Sequence, residues 1–263
     1  MILINYFIKA GILSVLLILF STLTVYLPSA SNSWWISDDH TNIYYPERGE
    51  NMPSFNRQID RADGVVRLLM HPYKTTVGSS LGNYWSHVYC VIKHIVCSLV
   101  LFYILLKLSF SKHASTLGAM FFALAPWAVQ PVVWWTASQY IEHTVLFLLG
   151  ILLFLKYLPS DGYQKWFLIL GYFLVMLCSL MIYELWLFGI VTLIGVYIYR
   201  HFSSSEEISW RGFYKESKCN MLQHVLVSLL PFLIWFIAYI LTKDSSDKYS
   251  PDVGLLRIFV VFL

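Results

Sequence analysis

Apolar residues run along this chain in long blocks, and polar residues are confined mostly to the gaps between them. The blocks fall at about 8–28, 88–108, 116–135, 141–158, 165–182, 185–200 and 222–242, and a last run begins near residue 254. A helix needs about 20 apolar residues to cross the ~30 Å hydrocarbon core of a bilayer. The pattern therefore predicts an all-α fold, a polytopic transmembrane helix bundle of about seven or eight helices in a single domain over 1–263. Leu255–Leu263 is too short to span, so the expectation is a C-terminally incomplete chain or an interfacial tail.

Between the first two blocks, residues 29–87 predict a long external loop with no helix long enough to span. Within it, the stretch from Ile59 to Leu69 has apolar residues at 59, 62, 65, 66 and 69. That spacing fits an amphipathic helix lying on the membrane surface. The stretch from Trp166 to Tyr199 is too long for one helix, and a turn at Tyr183-Glu184 divides it into two spans.

Composition agrees with the pattern. The chain is 58% hydrophobic and only 13% charged, far from the balance of a soluble domain. A net charge of +3 without a basic run gives no reason to expect a nucleic-acid partner. Ser29-Ala30-Ser31 could end a signal peptide, but the run from Ala10 to Leu27 is longer than the usual apolar core of one. An uncleaved first helix is the expectation. Cys90, Cys97, Cys178 and Cys219 form no disulfide framework. Trp34, Trp35, Trp134 and Trp135 are expected in the interfacial aromatic belt.

Lysine and arginine orient the bundle. With a cytoplasmic N-terminus, the inside loops carry Lys107, Lys112, Lys156, Lys165, Arg200, Arg211, Lys215 and Lys218. The short outside loops carry Lys243 and Lys248. This orientation puts Asp38, Asp39, Glu142 and Glu184 at one face, near the ends of different helices. His87, Lys93, His94 and His143 join them at that level. Ionisable residues at membrane depth are costly and mark functional sites by default. Plainer roles fit some of them: Asp38 and Asp39 as solvated loop charge, Glu142 as an acid favoured by its helix N-terminus, His87 and His94 as packing on one helix face.

Several stretches carry a family likeness. Asp38-Asp39 is an acidic pair soon after the first helix; His87-Val-Tyr-Cys-Val-Ile-Lys-His94 opens the second. Phe121-Phe-Ala-Leu-Ala-Pro126 continues through Gln130-Pro-Val-Val-Trp-Trp135 to Leu155. In these, and in Cys178-Ser-Leu-Met-Ile-Tyr-Glu184, residues 30–200 resemble the GT-C type multi-pass membrane glycosyltransferases. The likeness is to the branch of transmembrane and tetratricopeptide-repeat O-mannosyltransferases and their bacterial relatives. Cys90 stands where that family has Asn, Gln130 where it has Glu, Gln139 where it often has Arg, and Tyr183 where it has Lys.

The resemblance implies an inverting hexosyltransferase that moves a sugar from a polyprenyl-phosphate donor to a hydroxyl of a glycan, lipid or protein acceptor. It implies a divergent bacterial enzyme of cell-envelope glycosylation, in the inner membrane with its active face periplasmic. Asp38 or Asp39 would be the catalytic base. Arg67, His87, Lys93, His94, Gln139, Glu142 and Glu184 would bind donor and acceptor, with the cations supporting the leaving phosphate. Carboxylates could hold Mg²⁺ or Mn²⁺, but relatives of this kind work without a metal, so no metal or other cofactor is expected beyond the lipid-linked sugar. Two further classes fit a many-helix aromatic chain: an O-antigen polymerase or ligase, and a transporter or flippase component.

Overall fold

The computed structural model describes residues 11–31, 64–133, 135–182, 186–204 and, toward the C-terminus, 226–227, 229–234 and 236–237. Among them there is no strand. The helices are α1 (Ile12–Ser31), α2 (Gly64–Lys107), α3 (Lys112–Leu124), α4 (Val129–Val133), α5 (Gln139–Tyr157), α6 (Gly162–Ile182) and α7 (Trp186–Ser204). Short 3-10 turns at Pro126–Ala128 and Thr136–Ser138 flank α4. Four helical stretches among the described residues are long and apolar enough to cross a bilayer: Ile12–Ser31, Tyr84–Lys107, Gln139–Tyr157 and Gly162–Leu180. Over these residues the chain is an all-helical membrane protein.

Its surface and interior are inverted relative to a soluble domain. The face of α1 that packs inward is Ser14, Ile18, Thr22, Tyr26 and Ala30, spaced by four and mostly small. Ile12, Leu13, Leu17 and Phe20 face outward. Small residues let helix backbones approach closely where no hydrophobic effect drives them together. The Ser21 and Thr22 hydroxyls bond back to the carbonyls of Leu17 and Ile18 at 2.6 Å each, which satisfies them without a partner helix. On α6 the outward residues are Tyr163, Trp166, Phe167, Leu170 and Leu174.

α5 and α6 form an antiparallel hairpin. His143 meets Ser179 at one end, with Nδ1 2.9 Å from the Ser179 hydroxyl. Phe154 meets Tyr172 at the other, ring centroids 5.7 Å apart. Between them Gly150 leaves room for the side chain of Met176, which is wholly buried. Phe232 packs on Gly189 of α7 and joins the same core.

Two elements differ from the sequence reading. The expected span over 116–135 is broken. Ser111 caps α3 by accepting from the Ala114 N–H at 3.2 Å, but α3 ends after only 13 residues, about 20 Å of helix. Pro126 is the cause: it disfavours helical geometry in the residue before it, and Ala125 is extended (φ −62°, ψ 134°). A helix ending at this depth leaves carbonyls without intrahelical donors. Two neighbouring side chains supply them: His94 donates from Nε2 to Ala123 O at 3.0 Å, and Tyr26 Oη donates to Ala125 O at 3.2 Å. Irregular backbone is tolerated in a bilayer where protein covers it, and residues 125–138 lie among α1, α2 and α5.

The second difference is α2, expected over 88–108. It begins at Gly64, inside the stretch read as external loop, and takes in the described part of the Ile59–Leu69 segment. The helix is interrupted at Gly82 (φ 69°, ψ 176°), a conformation open essentially to glycine alone. No atom lies within 4 Å of where a Cβ would stand there, so the whole cost of a side chain is backbone strain. Gly82→Ala is expected to lower stability by about 1–3 kcal/mol, read as a fall in the thermal midpoint in detergent. An unchanged midpoint would mean that the break is not required. Of the expected helix over 222–242, only the turns at 226–227, 229–234 and 236–237 fall among the described residues, and the run from 254 lies outside them.

Candidate functional site

The structure brings two of the sequence-derived candidates together. Lys93 of α2 and Glu142 of α5 form an ion pair, Nζ to Oε1 2.5 Å, with side chains only 11% and 13% exposed. Ser138 closes the cluster. It accepts from Lys93 Nζ at 3.4 Å and donates to Glu142 Oε1 at 3.3 Å. Two rings complete it: the ammonium lies 4.7 Å from the Tyr89 ring centroid and 5.3 Å from that of Trp135.

Local sequence explains the cluster. Tyr89 precedes Lys93 by four residues on α2, and Ser138 precedes Glu142 by four at the start of α5, so each pair stacks on one helix face. Ser138 occupies the N-cap position of α5 but makes no side-chain bond to the backbone there; its hydroxyl turns to Glu142 instead. Glu142 sits in the first turn of α5, where the helix dipole favours a carboxylate. Ion pairing, the hydroxyl, the dipole and the cation–π contacts together offset the desolvation of two charges. An ammonium so placed can support a phosphate, and a carboxylate can take a proton from a hydroxyl.

The remaining candidates are placed separately. His94 lies next to Lys93 in sequence but on another face of α2, bonded to the end of α3 and in ring contact with Tyr26 and Phe122, each centroid 5.4 Å away. His87, seven residues earlier, is fully buried. Gln139 opens α5 and is half-buried. Arg67 lies on α2 before the Gly82 break. His143 is tied to Ser179 within the α5–α6 hairpin. Asp38, Asp39 and Glu184 lie outside the described residues. Among the described residues, no three His, Cys, Asp or Glu side chains gather as metal ligands would.

Sequence reasoning missed Ser138, Tyr89 and Trp135. The spacing of four to a charged residue could have found the first two. Trp135 was expected in the interfacial belt, but it is completely buried and packs on Tyr89 with ring centroids 6.2 Å apart. The chain matches no protein-family model, no curated protein and no solved structure with which it was compared.

Proposed function

We propose that the chain is a membrane glycosyltransferase of the GT-C type, moving a hexose from a polyprenyl-phosphate donor to an acceptor hydroxyl with inversion. The Lys93–Glu142–Ser138 cluster is the observation that carries this reading. It holds a cation suited to a leaving phosphate beside carboxylate and hydroxyl groups, near the first turn of α5. In the orientation favoured by the lysines and arginines, that end of α5 faces the periplasm, the face to which Asp38, Asp39 and Glu184 belong. The bundle would hold seven or eight spans in a bacterial inner membrane. Asp38 or Asp39 takes the acceptor proton, Lys93 supports the departing phosphate, and Arg67, His87, His94, Gln139, Glu142 and Glu184 hold donor and acceptor. No metal or further cofactor enters.

The test is transfer from a radiolabelled polyprenyl-phosphate hexose in membranes containing the protein. At least one of Asp38→Asn and Asp39→Asn is expected to reduce transfer by about 100-fold or more, the usual worth of a positioned base. Full activity in both variants would sink the assignment.

The broken segment 125–138 favours a second reading, a transporter or flippase, because interrupted helices at membrane depth build substrate sites in such proteins. Single cysteines at 39, 142 and 184 separate the two readings. Labelling from the periplasmic side alone fits the transferase; labelling of any of them from both sides fits transport.

A further inference from the structure

Where α3 breaks off, a cavity of about 290 Å³ opens between α2, α3, α4 and α5. His94, Cys97, Phe122, Gln130, Tyr140 and Thr144 are among the residues that line it, and none of the lining side chains carries a formal charge other than the titratable His94. Its volume is about twice the ~150 Å³ that accommodates a benzene ring, enough for a single substituted six-membered ring. The apolar walls and lack of fixed charge disfavour an ionic occupant.

Two lining side chains hold unused hydrogen-bonding capacity. A carbonyl oxygen can only accept, so the bond from His94 to Ala123 O puts the proton on Nε2. In the neutral ring Nδ1 is then an acceptor, and among the described residues it has no partner. His94 is itself 2% exposed. Gln130, an exposed member of the lining, offers an amide donor and acceptor that are likewise unpartnered among the described residues. The Thr144 hydroxyl, in contrast, is committed to Tyr140 O at 2.6 Å. One hydroxyl group can donate to His94 Nδ1 while accepting from Gln130, and the rings of Phe122 and Tyr140 offer apolar surface to the C–H faces of a pyranose.

We infer that this cavity binds the ring of a neutral, hydroxyl-bearing molecule about the size of one hexose; resting on the transferase reading, it is the seat of the acceptor. The site is separate from the Lys93–Glu142 pair, which projects from a different face of α2.

Cys97 makes the inference testable without any sugar transfer. The full chain carrying Cys90→Ala, Cys178→Ala and Cys219→Ala keeps only this thiol. In nanodiscs it is treated with methyl methanethiosulfonate and labelling is followed by mass spectrometry. Methyl glucopyranoside at four times its dissociation constant is expected to slow labelling about fivefold by mass action. Cyclohexane and cyclohexanecarboxylate are expected to leave the rate unchanged. The protection disappears in His94→Phe and in Gln130→Leu; the second variant breaks no hydrogen bond among the described residues and so guards against a folding failure in the first. Saturation-transfer NMR with the same glucoside gives a second readout.

A Cys97 that the reagent never reaches, equal protection by cyclohexane, or protection surviving both variants overturns the site. Protection by octyl glucopyranoside alone overturns the acceptor assignment, since the ring would then arrive on a lipid. Saccharide protection without sugar transfer overturns only the transferase reading. Transfer without protection overturns only this cavity.

Discussion

Replacing Lys93 by Met is expected to destabilise the protein by about 3–5 kcal/mol, the cost of breaking a buried ion pair from one side. Methionine keeps most of the volume but leaves the Glu142 carboxylate, 13% exposed, without its cation. Ser138 donates one hydrogen bond to that carboxylate at 3.3 Å, which replaces only part of what the ammonium supplied. The contacts of the ammonium with Tyr89 and Trp135 are lost as well, each worth about 0.5–2 kcal/mol. An exposed pair would behave differently, with a median worth of about 0–1 kcal/mol. The double variant Lys93→Met, Glu142→Leu is expected to regain most of the loss, because a buried pair and apolar residues of similar volume are often near equal in stability. Unfolding by steric trapping in bicelles measures both variants. A single-variant loss below about 1 kcal/mol would mean that the pair is solvated and holds nothing together.

The spans were legible where apolar length alone decides. α1, the half of α2 after Gly82, α5 and α6 lie close to the expected blocks, since nothing but a helix satisfies its backbone across that many apolar residues. The block over 116–135 misled for the same reason. Its length matched a span, and Pro126 and Pro131 stood among apolar neighbours that masked them. Proline at 126 outweighed hydropathy, and the broken backbone then had to find donors. Nothing in the apolar surroundings of Tyr26 marks it as one of them, because the Tyr26–Ala125 contact joins residues 99 apart in sequence.

The site was half legible. Lys93 and Glu142 stood out individually as charges within apolar blocks, yet their partnership depends on the register between α2 and α5, which no local pattern encodes. Trp135 shows the limit of the belt rule. A tryptophan next to a span end is usually interfacial, but the break in α3 folds its stretch inward, and the indole becomes core. The same break that shortens one expected span therefore creates the aromatic wall behind Lys93 and the cavity beside His94.

Trp135→Ala is accordingly expected to cost about 3–5 kcal/mol, the range for truncating a buried aromatic. An interfacial tryptophan would lose much less, since surface substitutions fall mostly within about 0.5 kcal/mol. Trp135 is fully buried, and its ring covers both Tyr89 and the Lys93 ammonium. Removing it empties space behind the ion pair and frees the end of the irregular segment, where Ala137 and Ser138 are also buried. The loss should therefore be local as well as global. In Trp135→Ala, a cysteine placed at Ala137 is expected to become reactive toward a membrane-permeant thiol reagent under conditions that leave α6 protected. Trp135→Phe keeps an aromatic face toward Lys93 and should fall between the two. Coupling with Lys93→Met decides how the ring acts. If it serves through the ammonium, the double variant loses less than the sum of the singles; strict additivity would assign its whole worth to packing.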